Sequence, residues 1–63
     1  MGKNNLKEFR IRKNLSIPEL ARKAELSERY LRFIEAGDKT PSLQTAQKIS
    51  SILESSIEDI FCS

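Results

Sequence analysis

No histidine occurs in the 63 residues, and Cys62 is the one cysteine. A protein-held zinc ion needs several such ligands, so a zinc site is excluded, as is an intrachain disulfide. A reducing, cytoplasmic setting fits this usage, with Cys62 a bystander in a loose C-terminus. No stretch approaches the ~18 apolar residues of a membrane span. No charged-then-apolar signal segment opens the chain either, because Gly2 leads into the polar Lys3 and Asn4. Glycine-rich tracts, internal repeats and low-complexity segments are missing. So is a nucleophile beside a base; Glu54, Glu58 and Asp59 have the spacing of a solvated helix face. The expectation is a protein that is not an enzyme and that calls for no cofactor and no metal.

What is present suffices for one domain over residues 1–63, a size that folds alone with a marginal core. The net charge is only +2, but residues 1–39 carry ten Lys/Arg against six acids, and residues 40–63 one against three. The basic part suits an anionic partner such as nucleic acid. Scattered lysines that merely keep a small domain soluble explain it equally well.

Alternating strand patterns are absent, whereas helical spacing and caps recur. Leu6, Phe9 and Lys13 set a first helix over about residues 3–13, which Asn14 can end because Asn tolerates left-handed backbone. Ser16 caps a second helix and Glu19 completes a capping box. Pro18 falls in the first turn, where no intrahelical bond is lost. Leu20, Ala21 and Ala24 line its inner face. Ser27 caps a third helix that runs to Ala36 and stops at Gly37. A loop at Asp38–Pro41 leads to a fourth helix after Ser42, with Leu43, Ala46, Ile49 and Leu53 inward. Ser56 caps a short fifth helix with apolar Ile57, Ile60 and Phe61. Short helices with tight joints favour a crossed arrangement around a helix-turn-helix at about residues 16–36.

At roughly 100° per residue, Leu31 and Ile34 of the third helix point one way. Glu28, Arg29, Arg32 and Phe33 point nearly the opposite way, with Tyr30 on the border. Such a helix suits the DNA major groove, about 12 Å wide. Arg29 can donate twice to guanine O6 and N7, Glu28 can accept from cytosine N4, Phe33 can pack on a thymine methyl, and Arg32 can reach a base or a phosphate. Ser27, at the helix N-terminus, favours a phosphate oxygen, and Lys39 and Thr40 could hold the backbone beyond Gly37. The same residues admit a plainer account: Glu28 and Arg32 as a surface ion pair worth ~0.3–0.5 kcal/mol, and Phe33 folded onto the second helix or facing a protein.

The stretch Leu15-Ser16-Ile17-Pro18-Glu19-Leu20-Ala21, the run Ile34-Glu35-Ala36-Gly37 and Pro41-Ser42-Leu43 together resemble the phage repressor/Cro-type (XRE-type) helix-turn-helix family, over about Leu6 to Phe61. The resemblance implies an all-α, five-helix, lambda-repressor-like domain that regulates transcription from double-stranded DNA. Its DNA-facing positions fall on Ile17, Ser27, Glu28, Arg29, Arg32 and Phe33, and its phosphate loop on Asp38 to Thr40. With Lys39 and Thr40, Ile17 and Ser27 form the expected backbone-contacting set. Homodimers on two-fold operators are common in the family; here the helix-five end, with Ile57, Ile60 and Phe61, is the expected contact. The resemblance also pairs Arg10 with Glu35 as a structural ion pair and implies a nucleoid-associated, cytoplasmic location. The rival is a protein-interaction module on the same fold with DNA binding weakened.

Six departures from the family pattern bear on this. Ile17 replaces a glutamine whose amide touches DNA, and Pro18 removes a backbone donor. Glu25 and Glu54 stand at usual glycines, each costing roughly 1 kcal/mol if φ stays positive; Asn14 replaces a third more gently. Ser55 stands where an apolar residue is common, which thins the core under the fifth helix.

Overall fold

The computed structural model describes residues 4–61, and Cys62 lies outside them. Among the described residues there are five helices and no strand: α1 Leu6–Arg12, α2 Ile17–Ala24, α3 Glu28–Ala36, α4 Leu43–Leu53 and α5 Ile57–Phe61. This is an all-α five-helix bundle in which α2 and α3 form a helix-turn-helix.

Serine hydroxyls start α2 to α5. Ser16, Ser27 and Ser42 hold extended backbone, and their Oγ atoms accept from Glu19 N at 3.2 Å, Tyr30 N at 3.0 Å and Thr45 N at 3.2 Å. Ser56 Oγ accepts from Asp59 N at 3.0 Å. Each cap satisfies an orphan N–H and contributes about 1 kcal/mol. Glu19 Oε1 accepts in return from Ser16 N at 2.8 Å, which closes the capping box. Those bonds hold the Glu19 carboxyl below its ordinary value, the Ser16 backbone N–H contributing most.

Left-handed residues stop the helices: Asn14 (φ 58°), Glu25 (φ 59°), Gly37 (φ 85°) and Glu54 (φ 54°). At the central turn Leu26 N donates to Ala21 O at 2.8 Å, so the chain reverses within Glu25, Leu26 and Ser27. Each left-handed glutamate reaches a lysine of another element. Glu25 meets Lys48 of α4 at 3.4 Å, and Glu54 meets Lys13 at the end of α1. The Lys13 hydrogen bond, then its charge, lowers the Glu54 pKa.

The core draws a large side chain from every helix: Leu6, Leu20, Leu31, Ile34, Ile49, Leu53 and Ile60 are fully buried. α2 lies against both α3 and α4, and α5 closes the bundle against α4 and α1. Ser55, half-buried, turns its hydroxyl back to Leu53 O at 3.1 Å.

Three expectations need correction. The first helix begins at Leu6, not near residue 3, because Asn4 Oδ1 accepts from Leu6 N at 2.9 Å and the preceding backbone turns away to a different partner. That partner is α5: Asn5 N donates to Ile60 O at 2.7 Å, and Asn5 Nδ2 to Asp59 O at 3.0 Å. Leu43 is 67% exposed rather than inward, since at the first position of α4 it lies beyond the rim of the core. In α5, Ile60 is fully buried and Phe61 packs against the core, so most of the apolar surface expected to face a second copy is used within the chain.

Candidate nucleic-acid interface

The candidate face is built from the inside of α3 outward. Leu31 and Ile34 lie at 0% exposure and fix the rotation of the helix. Glu28, Arg29 and Arg32 are thereby left exposed, with Phe33 half-buried among them and Tyr30 packed against the core. Glu28 Oε1 lies 3.7 Å from Arg32 Nη2, both side chains more than half exposed. Such a pair is worth little, so either side chain can exchange its partner for a base at small cost.

Ser27 is exposed at the start of α3. Its Oγ accepts from Tyr30 N, and the hydroxyl hydrogen stays available to a phosphate oxygen. The first turn adds backbone N–H groups that no helical carbonyl can reach. Beyond Gly37, Lys39 and Thr40 are exposed in a loop fastened to α3, where the Phe33 carbonyl accepts from Asp38 N at 2.8 Å and Lys39 N at 3.3 Å. Ile17 occupies the first position of α2 and is half-buried against the core. Its side chain therefore divides between packing and the rim of this face.

Arg10 and Glu35 lie behind the face. Arg10 Nε and Nη2 donate to the two Glu35 carboxylate oxygens at 2.9 and 3.2 Å, and Nη1 donates to Leu15 O at 2.7 Å. The side chains are 11% and 16% exposed, so this fork ties α1, the α1–α2 joint and α3 together away from solvent. Asn4 Nδ2 adds a further tie to α3, donating to Ile34 O at 2.9 Å.

Two features lay outside the sequence reading. One is the clasp of Asn4 and Asn5 onto α3 and α5, which spans most of the chain and leaves no local signal. The other surrounds Phe33. The Arg29 guanidinium carbon lies 5.6 Å from the ring centroid and Lys39 Nζ 5.9 Å from it. The four-residue spacing of Arg29 and Phe33 could have revealed the first contact. Among the described residues no cluster of metal-ligating side chains occurs, and no helix is long and apolar enough to cross a membrane.

Two helices joined through a three-residue turn, the second with a buried stripe and a charged outer face, define a helix-turn-helix domain. The chain belongs to the helix-turn-helix family, whose profile matches residues 6–60. An uncharacterized HTH-type transcriptional regulator of Methanocaldococcus jannaschii is 42% identical over 59 residues, covering 94% of this chain and 89% of the relative. SinR, a transcriptional regulator of Bacillus subtilis, is 38% identical over 56 residues, and this chain spans 50% of its length. The crystal structure of SinR in complex with DNA superposes with a TM-score of 0.79, covering 86% of this chain and 87% of that one. SinR is also known in a complex with the SinI protein. The restriction-modification controller protein C.AhdI of Aeromonas hydrophila superposes at 0.80 with 29% identity, covering 87% of this chain and 83% of that one.

Proposed function

We propose that the protein is a transcriptional regulator that binds double-stranded DNA by sequence, with α3 in the major groove. The split of α3 carries this reading. Leu31 and Ile34 are fully buried, while Glu28, Arg29 and Arg32 stand exposed beside a serine-capped helix start. Arg29 donates to guanine and Glu28 accepts from cytosine, with Arg32 and Phe33 on the same base-facing side. Ser27, Lys39, Thr40 and the edge of Ile17 meet the sugar-phosphate backbone and set the register. Arg10 and Glu35 hold α3 in place and touch no DNA. SinR, 38% identical, bound to DNA in the same fold supports the reading.

The protein acts as a homodimer on a two-fold operator, in the cytoplasm and on the nucleoid. With Ile60 in the core, the α5 end offers Ile57 and the outer edge of Phe61 to a second copy. The contact is thus small, and DNA completes the dimer.

Selection from a randomised duplex pool tests this. A palindromic site is expected, relaxed at one base pair by Arg29→Ala at a cost of about 1–3 kcal/mol. Lys39→Ala is expected to weaken all duplexes alike and to lower the salt slope by about one. Absence of an enriched site, with only weak and strongly salt-sensitive binding, would replace this reading by the protein-interaction module.

A further inference from the structure

Phe33 differs from the other aromatic side chains. Phe9, Tyr30 and Phe61 pack against the hydrophobic core, whereas Phe33 does not join it. Charge shields its ring instead: the Arg29 guanidinium at 5.6 Å and the Lys39 ammonium at 5.9 Å both lie within the range in which a ring's negative face attracts a cation. Lys39 is held at both ends, because its backbone N–H donates to the Phe33 carbonyl at 3.3 Å. Arg29 stands one turn before Phe33 on α3, and Lys39 lies in the loop after Gly37. One residue therefore touches a cation on the recognition helix and a cation on the loop.

Resting on the DNA-binding reading above, we propose that Phe33 is a positioning residue that acts through Arg29 and Lys39 rather than by touching a base. A free arginine or lysine loses rotamer freedom when it docks on DNA, and that loss weakens binding. Against the ring, part of the freedom is already gone in the unbound protein. The two cations also meet the duplex in a fixed relation, so base reading and backbone contact are coupled. The ring has no sequence preference of its own; its effect is largest at the base pair that Arg29 reads and, through Lys39, extends to every duplex.

The whole chain, as wild type, Phe33→Leu and Phe33→Tyr, separates the possibilities. Leucine keeps an apolar group for a thymine methyl but removes the ring, whereas tyrosine keeps the ring. In the DNA-free protein, the side-chain methylene protons of Arg29 and Lys39 are expected upfield by ring current in wild type and Phe33→Tyr, and at ordinary positions in Phe33→Leu. On duplexes, Phe33→Leu is expected to bind about three- to tenfold more weakly where the guanine read by Arg29 is present, and more weakly by a smaller factor, through Lys39, at other sequences. Phe33→Tyr should stay within about twofold, and Lys39→Ala should cost less in the Phe33→Leu background than in wild type. Missing upfield shifts overturn the proposal and leave DNA binding untouched. So does a Phe33→Leu loss confined to one T·A pair, or a Lys39→Ala loss equal in both backgrounds. Failure of Phe33→Leu to fold assigns the ring to the fold and also overturns it. Upfield shifts in a wild type that enriches no duplex overturn the DNA reading, and this proposal with it.

Discussion

Replacing Glu35 by glutamine keeps the volume and one acceptor but removes the charge that Arg10 faces. Arg10 then keeps its 2.7 Å bond to Leu15 O, loses one carboxylate oxygen and meets an amide NH2 that cannot accept. Breaking a fully buried pair costs about 3–5 kcal/mol. With side chains 11% and 16% exposed the pair is nearly but not wholly dry, so a loss of about 2 kcal/mol is expected. For a domain this small that lowers Tm by roughly 10–15 °C, and it is a large share of the ~3–5 kcal/mol a core of this size supplies. The assay is urea unfolding followed by helical circular dichroism on wild type, Glu35→Gln, Arg10→Met and Arg10→Met/Glu35→Leu. The double variant leaves no charge stranded, so it should lose clearly less than the sum of Arg10→Met and a Glu35→Leu single variant measured beside it. A Glu35→Gln loss under about 0.5 kcal/mol, as for an exposed pair, or strict additivity in the cycle, would refute the reasoning.

Glu25→Gly should relieve left-handed strain of roughly 1 kcal/mol and lose only the exposed Lys48 contact. A net gain of about 0.5 kcal/mol, read as a rise in Tm of roughly 2–4 °C, is expected. Ser27→Ala should cost about 1 kcal/mol by urea midpoint and also weaken binding to every duplex, because the hydroxyl that caps α3 is also the proposed phosphate donor. Glu19 and Glu54 titrate below the ordinary value of 4.5 in the fold, through Ser16 and Lys13 respectively. A lowered folded pKa adds stability that is present above the unfolded value and is lost as pH falls through the folded one. Tm should therefore drop on acidification below about 4.5, and Glu19→Gln should flatten part of that slope in a pH series of thermal melts.

The starts of α2 to α5 were legible because a serine cap is a local device: hydroxyl and N–H lie three residues apart along the chain. Leu31 and Ile34 were legible for a similar reason, since helical period alone places them opposite Arg29 and Arg32. The outward set on α3 follows from this, and so does much of the candidate interface. Leu43 misled because periodicity assigns a face but not a depth, and a first-turn residue can share the face while lying beyond the core. Asn4 and Asn5 gave no warning, because their partners, Ile34 O and Ile60 O, are backbone atoms that any residue could present.

Glu25 and Glu54 show where the boundary lies. Their cost is visible in one position of the chain: a side chain with a Cβ at φ 59° or 54° is disfavoured whatever surrounds it. Their compensation is not. Lys48 is 23 residues from Glu25, and Lys13 is 41 from Glu54, so each pair exists only once the bundle has closed. A glycine would have met the backbone demand without a partner. The glutamates meet it at a local cost and return part of it as a tie between α4 and the central turn, and between α4 and α1. Exposed ties of this kind are individually weak. The stability of this small core is therefore more sensitive to salt, and through Glu54 to acid, than a glycine-capped version of the same fold would be.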